Sequence, residues 1–326
     1  MPGEKSVVLL ECRYLIPAEL VYYRLWFVGI VIERKESIVM DMWSMLDTSP
    51  LLRLAAGVAG SLVIAGAAWK LRALSGSGAA AAILLGTGYV YFGGPIWFSL
   101  LIAFFISSTL WSKWKKHHRA KANAERSYAK GSRRDAGQVL ANGGFGLLLC
   151  IAYSLWPEPW LLLAFVGVMA SVNADTWATE VGALSRSAPI SVRTLRRVPP
   201  GTSGGITPLG TFAALLGGAF IGAAAALLAE LPLAWGAAAA QPAPPAATLL
   251  LAGAAAGLAG ALADSWLGAT VQAMYRCPSC GSDTERAEHC GRATVKTRGF
   301  APMTNDAVNL VSSLLAGVLA AALAFS

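Results

Sequence analysis

Asp175 and Glu180 stand five residues apart in Ser171-Val-Asn-Ala-Asp-Thr-Trp-Ala-Thr-Glu-Val-Gly182, at the end of an apolar run that begins near Trp160. A carboxylate at the centre of a membrane-length helix costs roughly 2.5–3.5 kcal/mol on insertion scales, and less near a helix end. Two acids in this position need partners or a task. Helical periodicity puts Thr179 one turn beyond Asp175, with Asn173, Thr176 and Glu180 as a polar flank. Such a pattern fits helix capping and interhelical bonding. It also fits a cation or polar-substrate site at the membrane face, and intramembrane acids favour this second reading.

Further polar groups recur at the ends of other apolar runs. Asp135 and Asn142 begin one run, and Asp264 and Ser265 lie near the end of another, with Gln272 eight residues on and predicted to share their helical face. Asn305, Asp306 and Asn309 begin the last run. A glycine-rich stretch, Val198-Pro-Pro-Gly-Thr-Ser-Gly-Gly-Ile-Thr-Pro-Leu-Gly-Thr211, follows Arg193, Arg196 and Arg197. Glycines allow tight turns that aim several N–H groups at one point, and the next helix N-terminus adds partial positive charge. Arginine forks bind phosphate oxygens bidentately. The stretch lacks the Lys-Ser/Thr ending of a Walker loop, so alone it fits a plain re-entrant turn equally well. Beside acids that can hold Mg²⁺, it predicts a phosphate cradle made of Arg196, Arg197 and Gly201, Thr202, Ser203, Gly204 and Gly205.

A third constellation is Cys277-Pro-Ser-Cys280 followed by His289-Cys290. Together the four can ligate a tetrahedral Zn²⁺, which would be structural because no coordination position stays open. A reducing cytosol suits metal better than a disulfide, though unligated thiols remain the alternative. Cys12 and Cys150 stand alone, and an odd, clustered set of five does not read as a disulfide framework.

The elements that carry these residues are membrane helices. The 326-residue chain is 56% hydrophobic and 13% charged, against about 25% charged in soluble domains. Its net charge of +8 is therefore a topology signal and not a sign of nucleic-acid binding. Hydropathy and turn residues predict an all-α, polytopic membrane protein with about eight spans: residues 51–69, 78–92, 95–111, 135–155, 160–183, 204–229, 248–273 and 305–324. The second span is short for a bilayer, so tilt, local thinning or a partly re-entrant path is expected there. A Pro/Ala-rich link at Gln241-Pro-Ala-Pro-Pro245 joins the sixth and seventh spans.

Nine basic residues fall between Lys113 and Arg134, four between Arg186 and Arg197, five between Arg276 and Arg298, and Lys70 and Arg72 between the first two spans. All lie on one side of an eight-span chain, which the positive-inside rule assigns to the cytoplasm, with the chain in the plasma (inner) membrane. The acids gather on that same side; after residue 50 only Glu158 and Glu230 lie near the opposite one. Residues 1–45 differ in composition and read as an unstructured extension or a mis-set start codon, with Met40, Met42 and Met45 as alternative starts; a weak interfacial helix is the other reading. The membrane domain then covers 46–326, with polar loops at 112–135, 184–203 and 274–304.

Four ordered motifs, Asn173-Ala-Asp-Thr-Trp-Ala-Thr-Glu-Val-Gly182, Val198-Pro-Pro-Gly-Thr-Ser-Gly-Gly205, Asp264-Ser-Trp-Leu-Gly-Ala-Thr-Val-Gln272 and Asn305-Asp-Ala-Val-Asn309, resemble the integral-membrane domain-of-unknown-function family 92. That family includes transmembrane protein 19 and the phytyl-phosphate kinases of plants and cyanobacteria. The resemblance spans about residues 50–326. It implies transfer of a phosphoryl group from CTP or another nucleotide to a prenyl monophosphate, giving the diphosphate. Bacterial members often carry a Cys-x-x-Cys and His-Cys loop, and animal members lack it, which implies an accessory role for the loop.

The expectation is thus a Mg²⁺-dependent, cytoplasm-facing prenyl-phosphate kinase whose partners are the bilayer, a lipid phosphate and a nucleotide. Asp175, Glu180, Asp264 and Asp306 are the expected catalytic acids, with Asp175, Asp264 and Asp306 on Mg²⁺. Asn173, Asn305 and Asn309 join the arginines and the glycine-rich loop in binding substrate. A cation- or proton-coupled transporter would use the same acids but spread polar groups through the membrane depth. A non-catalytic lipid-binding protein gives no reason for four acids beside a phosphate-type loop.

Overall fold

The computed structural model describes residues 49–114, 121, 128, 130–230 and 244–325. The N-terminal extension, most of the basic loop after Lys113 and most of the Pro/Ala-rich link lie outside them.

Among the described residues, eight long helices form the bundle: α1 (Pro50–Lys70), α2 (Gly76–Gly93), α3 (Pro95–Lys113), α4 (Ala136–Leu155), α5 (Pro159–Gly182), α6 (Pro208–Ala229), α7 (Ala246–Thr270) and α8 (Asn305–Ala322). Among the described residues, all but α2 are long and apolar enough to cross a membrane by length and composition. Helix α2 is continuous over 18 residues, so the short second span has no break or re-entrant turn.

Local sequence sets the helix starts. Proline at the first helical position follows a capping residue at Ser49-Pro50 and Thr207-Pro208, where its missing N–H costs nothing. Asp135 and Gln138 close a full capping box on α4, and Thr304 caps α8 through the Ala307 N–H. The predicted sixth span began at Gly204, but α6 begins at Pro208. Gly205–Ile206 (β2) instead pairs antiparallel with Ile190–Ser191 (β1), and Thr207 turns the chain into the helix. The seventh span likewise ends at Thr270, which leaves Gln272 beyond α7.

Helix α5 is the axis of the bundle. Every residue from Leu161 to Ala174 is buried, and α3, α4, α6, α7 and α8 all pack against it. Helices α1 and α2 form an outer pair, which joins the rest through α2 against α4 and α3. Helices α6 and α7 cross through two small-residue pairs, Gly218/Gly222 and Gly253/Gly257. A Cβ on Gly253 would lie 2.5 Å from the Gly222 Cα, so backbone meets backbone there.

The polar loops carry small strands. Beyond α7, Met274–Arg276 (β3), Asp283–Thr284 (β4) and Val295–Arg298 (β7) form a sheet in the order β4-β3-β7, beside a hairpin of Glu288–His289 (β5) and Arg292–Ala293 (β6). Arg298 donates to the Gly268 carbonyl at 2.9 Å and to that of Ala269, capping the C-terminus of α7 and fastening this loop to the bundle.

Candidate functional site

A cavity of about 540 Å³ opens at the end of the bundle where α5 and α7 finish and α4, α6 and α8 begin. Asp175, Thr176, Thr179 and Glu180 reach it from α5, Asp264 and Ser265 from α7, and Asn305, Asp306 and Asn309 from α8. Gln138 and Asn142 on α4 complete the helical wall, and residues 200–207 form another side. The structure thus brings the four predicted acids, Asn305, Asn309 and the whole Gly201–Gly205 stretch to one cavity. Gln272 also lines it, although it lies on the connection after α7 and not on the helical face of Asp264.

The glycine-rich loop lies directly on α7. Gly201 and Gly204 adopt φ of 83° and 80°, and a Cβ on Gly204 would approach the Ser265 carbonyl to 2.6 Å. Only glycine meets both demands without displacing α7. The Ser203 hydroxyl donates to Gln272 Oε1 at 2.7 Å, and Gln272 Nε2 donates to Glu285 at 2.9 Å. The loop, the end of α7 and the segment beyond it are therefore joined by one line of side-chain hydrogen bonds.

Three predicted substrate ligands lie elsewhere. Asn173 is fully buried: it accepts from the Ser107 hydroxyl at 2.7 Å and donates to the Gly217 carbonyl at 2.7 Å. It therefore ties α5 to α3 and α6 and does not line the cavity. Arg196 and Arg197 are exposed on the turn before the glycine-rich loop and take no part in the wall. The backbone reason is the β1–β2 pairing, which carries the turn outward.

Cationic groups from the Lys113–Arg134 region line the cavity instead. Lys121 is buried, 2.7 Å from Glu180, and donates to the carbonyls of Trp111 and Trp114 at 2.8 Å each. Lys130 bonds Asp135 at 2.9 Å and also Asp306. Burial alone would lower the Lys130 pKa, but these two carboxylates outweigh it and raise the pKa. Asp135 moves the opposite way: burial opposes the shift, and the Gln138 N–H and Lys130 outweigh it, so its carboxyl lies below the usual range. Arg134 donates to Thr109 at 3.0 Å and Ser108 at 2.9 Å. Burial pushes its pKa down to about 10, opposed by the charge of Glu180, which leaves it cationic at neutral pH. Sequence reasoning read these residues as topology signals only. Glu285 and Tyr275 were also missed, and no spacing in the third loop pointed to them.

Chemically, the cavity offers hard oxygen donors and backbone N–H groups. The side-chain oxygens Asp306 Oδ1, Asn309 Oδ1 and Asn142 Oδ1 are buried with no hydrogen-bond partner among the described residues. Buried acceptors left this way carry a desolvation penalty that a bound cation or donor relieves. Carboxylate and amide oxygens suit Mg²⁺ better than a soft metal, so the donor set fits that ion.

Beside the cavity, ligand atoms of Cys277, Cys280, His289 and Cys290 lie within 4.8 Å of one another, as the sequence spacing anticipated. These residues do not line the cavity itself.

Comparison with known proteins agrees with this architecture. The family model described as "Integral membrane protein DUF92" matches residues 59–317. "Protein PGR" of Arabidopsis thaliana is 31% identical over 288 residues, covering 84% of this chain and 97% of that protein. An uncharacterized membrane protein of Methanocaldococcus jannaschii is 31% identical over 223 residues, covering 67% of this chain and 83% of its own length. An uncharacterized membrane protein of Synechocystis is 32% identical over 123 residues, covering 36% of this chain and 46% of its own. No solved structure matches.

Proposed function

This chain belongs to the DUF92 family of integral membrane proteins, and from that premise we propose that it is a membrane-embedded transferase that phosphorylates a prenyl, phytyl-like, monophosphate from CTP or another nucleotide. The reading rests on one observation above all: acids from α5, α7 and α8 share a cavity with the glycine-rich loop at the end of the bundle that bears the basic loops. A lipid phosphate presents its head group at that depth while its chain stays in the bilayer. A nucleotide enters from the aqueous side, which on the positive-inside rule is the cytoplasm.

In this reading the N–H groups around Gly201–Gly205 and the N-termini of α6 and α8 bind phosphate oxygens. Lys121, Lys130 and Arg134 balance the charge of a site that must hold both acids and phosphates. Asp175, Asp264 and Asp306, with Asn309, would hold Mg²⁺, which would supply charge neutralisation of the phosphoryl oxygens. The acceptor phosphate is already an anion, so no general base is needed, and no histidine lines the cavity among the described residues.

A transporter would need polar groups through the membrane depth. Below the cavity, the α5 segment from Leu161 to Met169 is wholly apolar and packs with Trp97, Leu100 and Phe104, which favours the enzyme. Purified protein assayed against a panel of prenyl monophosphates with labelled CTP and ATP tests the proposal. Formation of a prenyl diphosphate is the expected result. No product with any pair, from protein that still binds nucleotide, would overturn it.

A further inference from the structure

The segment from Val271 to Thr304 forms a wall of the cavity with very little core of its own. Its strands are two to four residues long, and few of its side chains are buried. A stretch this small needs a cross-link to hold one conformation. The four soft ligands beside the cavity supply a site for one. Cys280 Sγ lies 3.5 Å from His289 Nδ1, and Cys290 Sγ lies 3.2 Å from the same nitrogen. A tetrahedron with Zn–S of about 2.3 Å and Zn–N of about 2.05 Å has S···N edges of about 3.6 Å. A disulfide would need sulfurs about 2.05 Å apart, whereas all four cysteines described are free thiols.

The backbone is bent to suit the same geometry. Gly281 N–H donates to the Cys277 carbonyl at 2.9 Å, and Cys277 N–H to the Ser282 carbonyl at 3.0 Å, so Cys277 and Cys280 belong to one tight turn. Gly281, Cys290 and Gly291 take φ of 71°, 54° and 70°. A positive φ at Cys290, a residue with a Cβ, is strained, and a metal bond offsets that strain.

We propose that Cys277, Cys280, His289 through Nδ1, and Cys290 form a structural Zn²⁺ site whose task is to hold Glu285 in the cavity wall and to brace the glycine-rich loop. The pairing of Tyr275 with Thr284 leads from the first cysteine turn to Glu285, which lines the cavity. Glu285 accepts from Gln272, and Gln272 accepts from Ser203 of the glycine-rich loop. Arg286 donates to the Tyr128 carbonyl at 2.8 Å, which ties the same turn to the basic loop. Glu285 is thus a positioning residue, held by metal on one side and by the Gln272 bridge on the other. The zinc site stands apart from the phosphoryl-transfer reading; only the meaning of the cavity rests on it.

Two measurements on the purified full-length protein test this without any substrate. Metal analysis should find one zinc per chain, retained in Cys150→Ser and lost in Cys277→Ser/Cys280→Ser. The milder Cys280→Ser, at an exposed position, guards against a fold lost in the double variant. Hydrogen exchange should then rise at least about tenfold at residues 199–205 and 272–290 when zinc is removed, and stay unchanged along α5. Protein that contains iron, or that contains no zinc and takes none up, would overturn the metal assignment. Zinc loss that leaves residues 199–205 as protected as before would overturn the bracing role. Both results are read whether or not the protein turns over a prenyl phosphate.

Discussion

Lys121 Nζ sits 2.7 Å from a carboxylate oxygen of Glu180, with the lysine side chain only 3% exposed and the glutamate 16%. Glu180 is therefore already paired with a cation, as Asp306 is with Lys130, which separates it from Asp175 and Asp264. Breaking such a pair strands a buried ammonium, at a cost of roughly 3–5 kcal/mol. Glu180→Gln should lower the thermal midpoint of the purified protein markedly, and Lys121→Met/Glu180→Gln should recover much of the loss in a double-mutant cycle. A stable Glu180→Gln protein without turnover would return Glu180 to the reacting group.

Asn173 is a second residue whose role changes with the fold. Its amide joins Ser107 and Gly217, both at 2.7 Å, in the buried centre of the bundle. Asn173→Ala should cost about 1–2 kcal/mol through these lost interhelical bonds. Nucleotide affinity should be unchanged in the folded fraction, by isothermal titration. A weakened affinity at wild-type stability would restore Asn173 to substrate binding.

Arg196→Gln with Arg197→Gln should leave nucleotide affinity within about twofold, since exposed guanidiniums outside the cavity contribute only screened, long-range attraction. Lys130→Gln, which removes a cavity-lining charge, should weaken it more. The reverse order in the same binding assay would move the phosphate cradle back to the arginine turn.

What the sequence made legible follows from where its signals are local. The starts of α1 and α4 were readable because Ser49-Pro50, and Asp135 with Gln138, cap through residues one to three apart, whereas the start of α6 was placed four residues early because Gly205–Ile206 pair as a strand before Thr207 caps the helix. The sharing of one face by Asp175, Asp264 and Asp306 was readable because span count and basic loops fix which helix ends meet. Side-chain direction within a turn was not. Asn173 and Asp175 are two residues apart, which on a helix turns them toward different neighbours, one into the bundle and one into the cavity. The lysine partners were hidden for a related reason. Lys121 meets Glu180, and Lys130 meets Asp306, across loops whose path no periodicity encodes. Glu285 depends in turn on the folding of a loop whose sequence signals were its thiols, His289 and its basic residues, none of which points to Glu285.

The acids Asp175, Asp264 and Asp306 carry the proposed chemistry, and isosteric neutral substitutions separate chemistry from packing. Asp→Asn keeps size and most hydrogen bonding while removing charge. Asp264 accepts from Ser312 at 3.2 Å, a bond that an asparagine oxygen can keep. If these acids serve only to pack α5 against α7 and α8, neutral asparagine should be tolerated or even stabilising, because a buried carboxylate is costly. If they hold Mg²⁺ against phosphate, Asp175→Asn and Asp264→Asn should stay folded and lose activity. Removal of one metal-held contact should cost several kcal/mol of transition-state stabilisation. At 1.36 kcal/mol for each factor of ten, that is a loss of at least about a hundredfold in kcat/KM, only partly restored by added Mg²⁺. Asp306→Asn should lose less, because Lys130 already shares that carboxylate and the substitution also releases the lysine. Wild-type turnover in both Asp175→Asn and Asp264→Asn, measured with the prenyl phosphate and nucleotide that the panel identifies, would assign these acids to helix packing and leave the cavity without a metal.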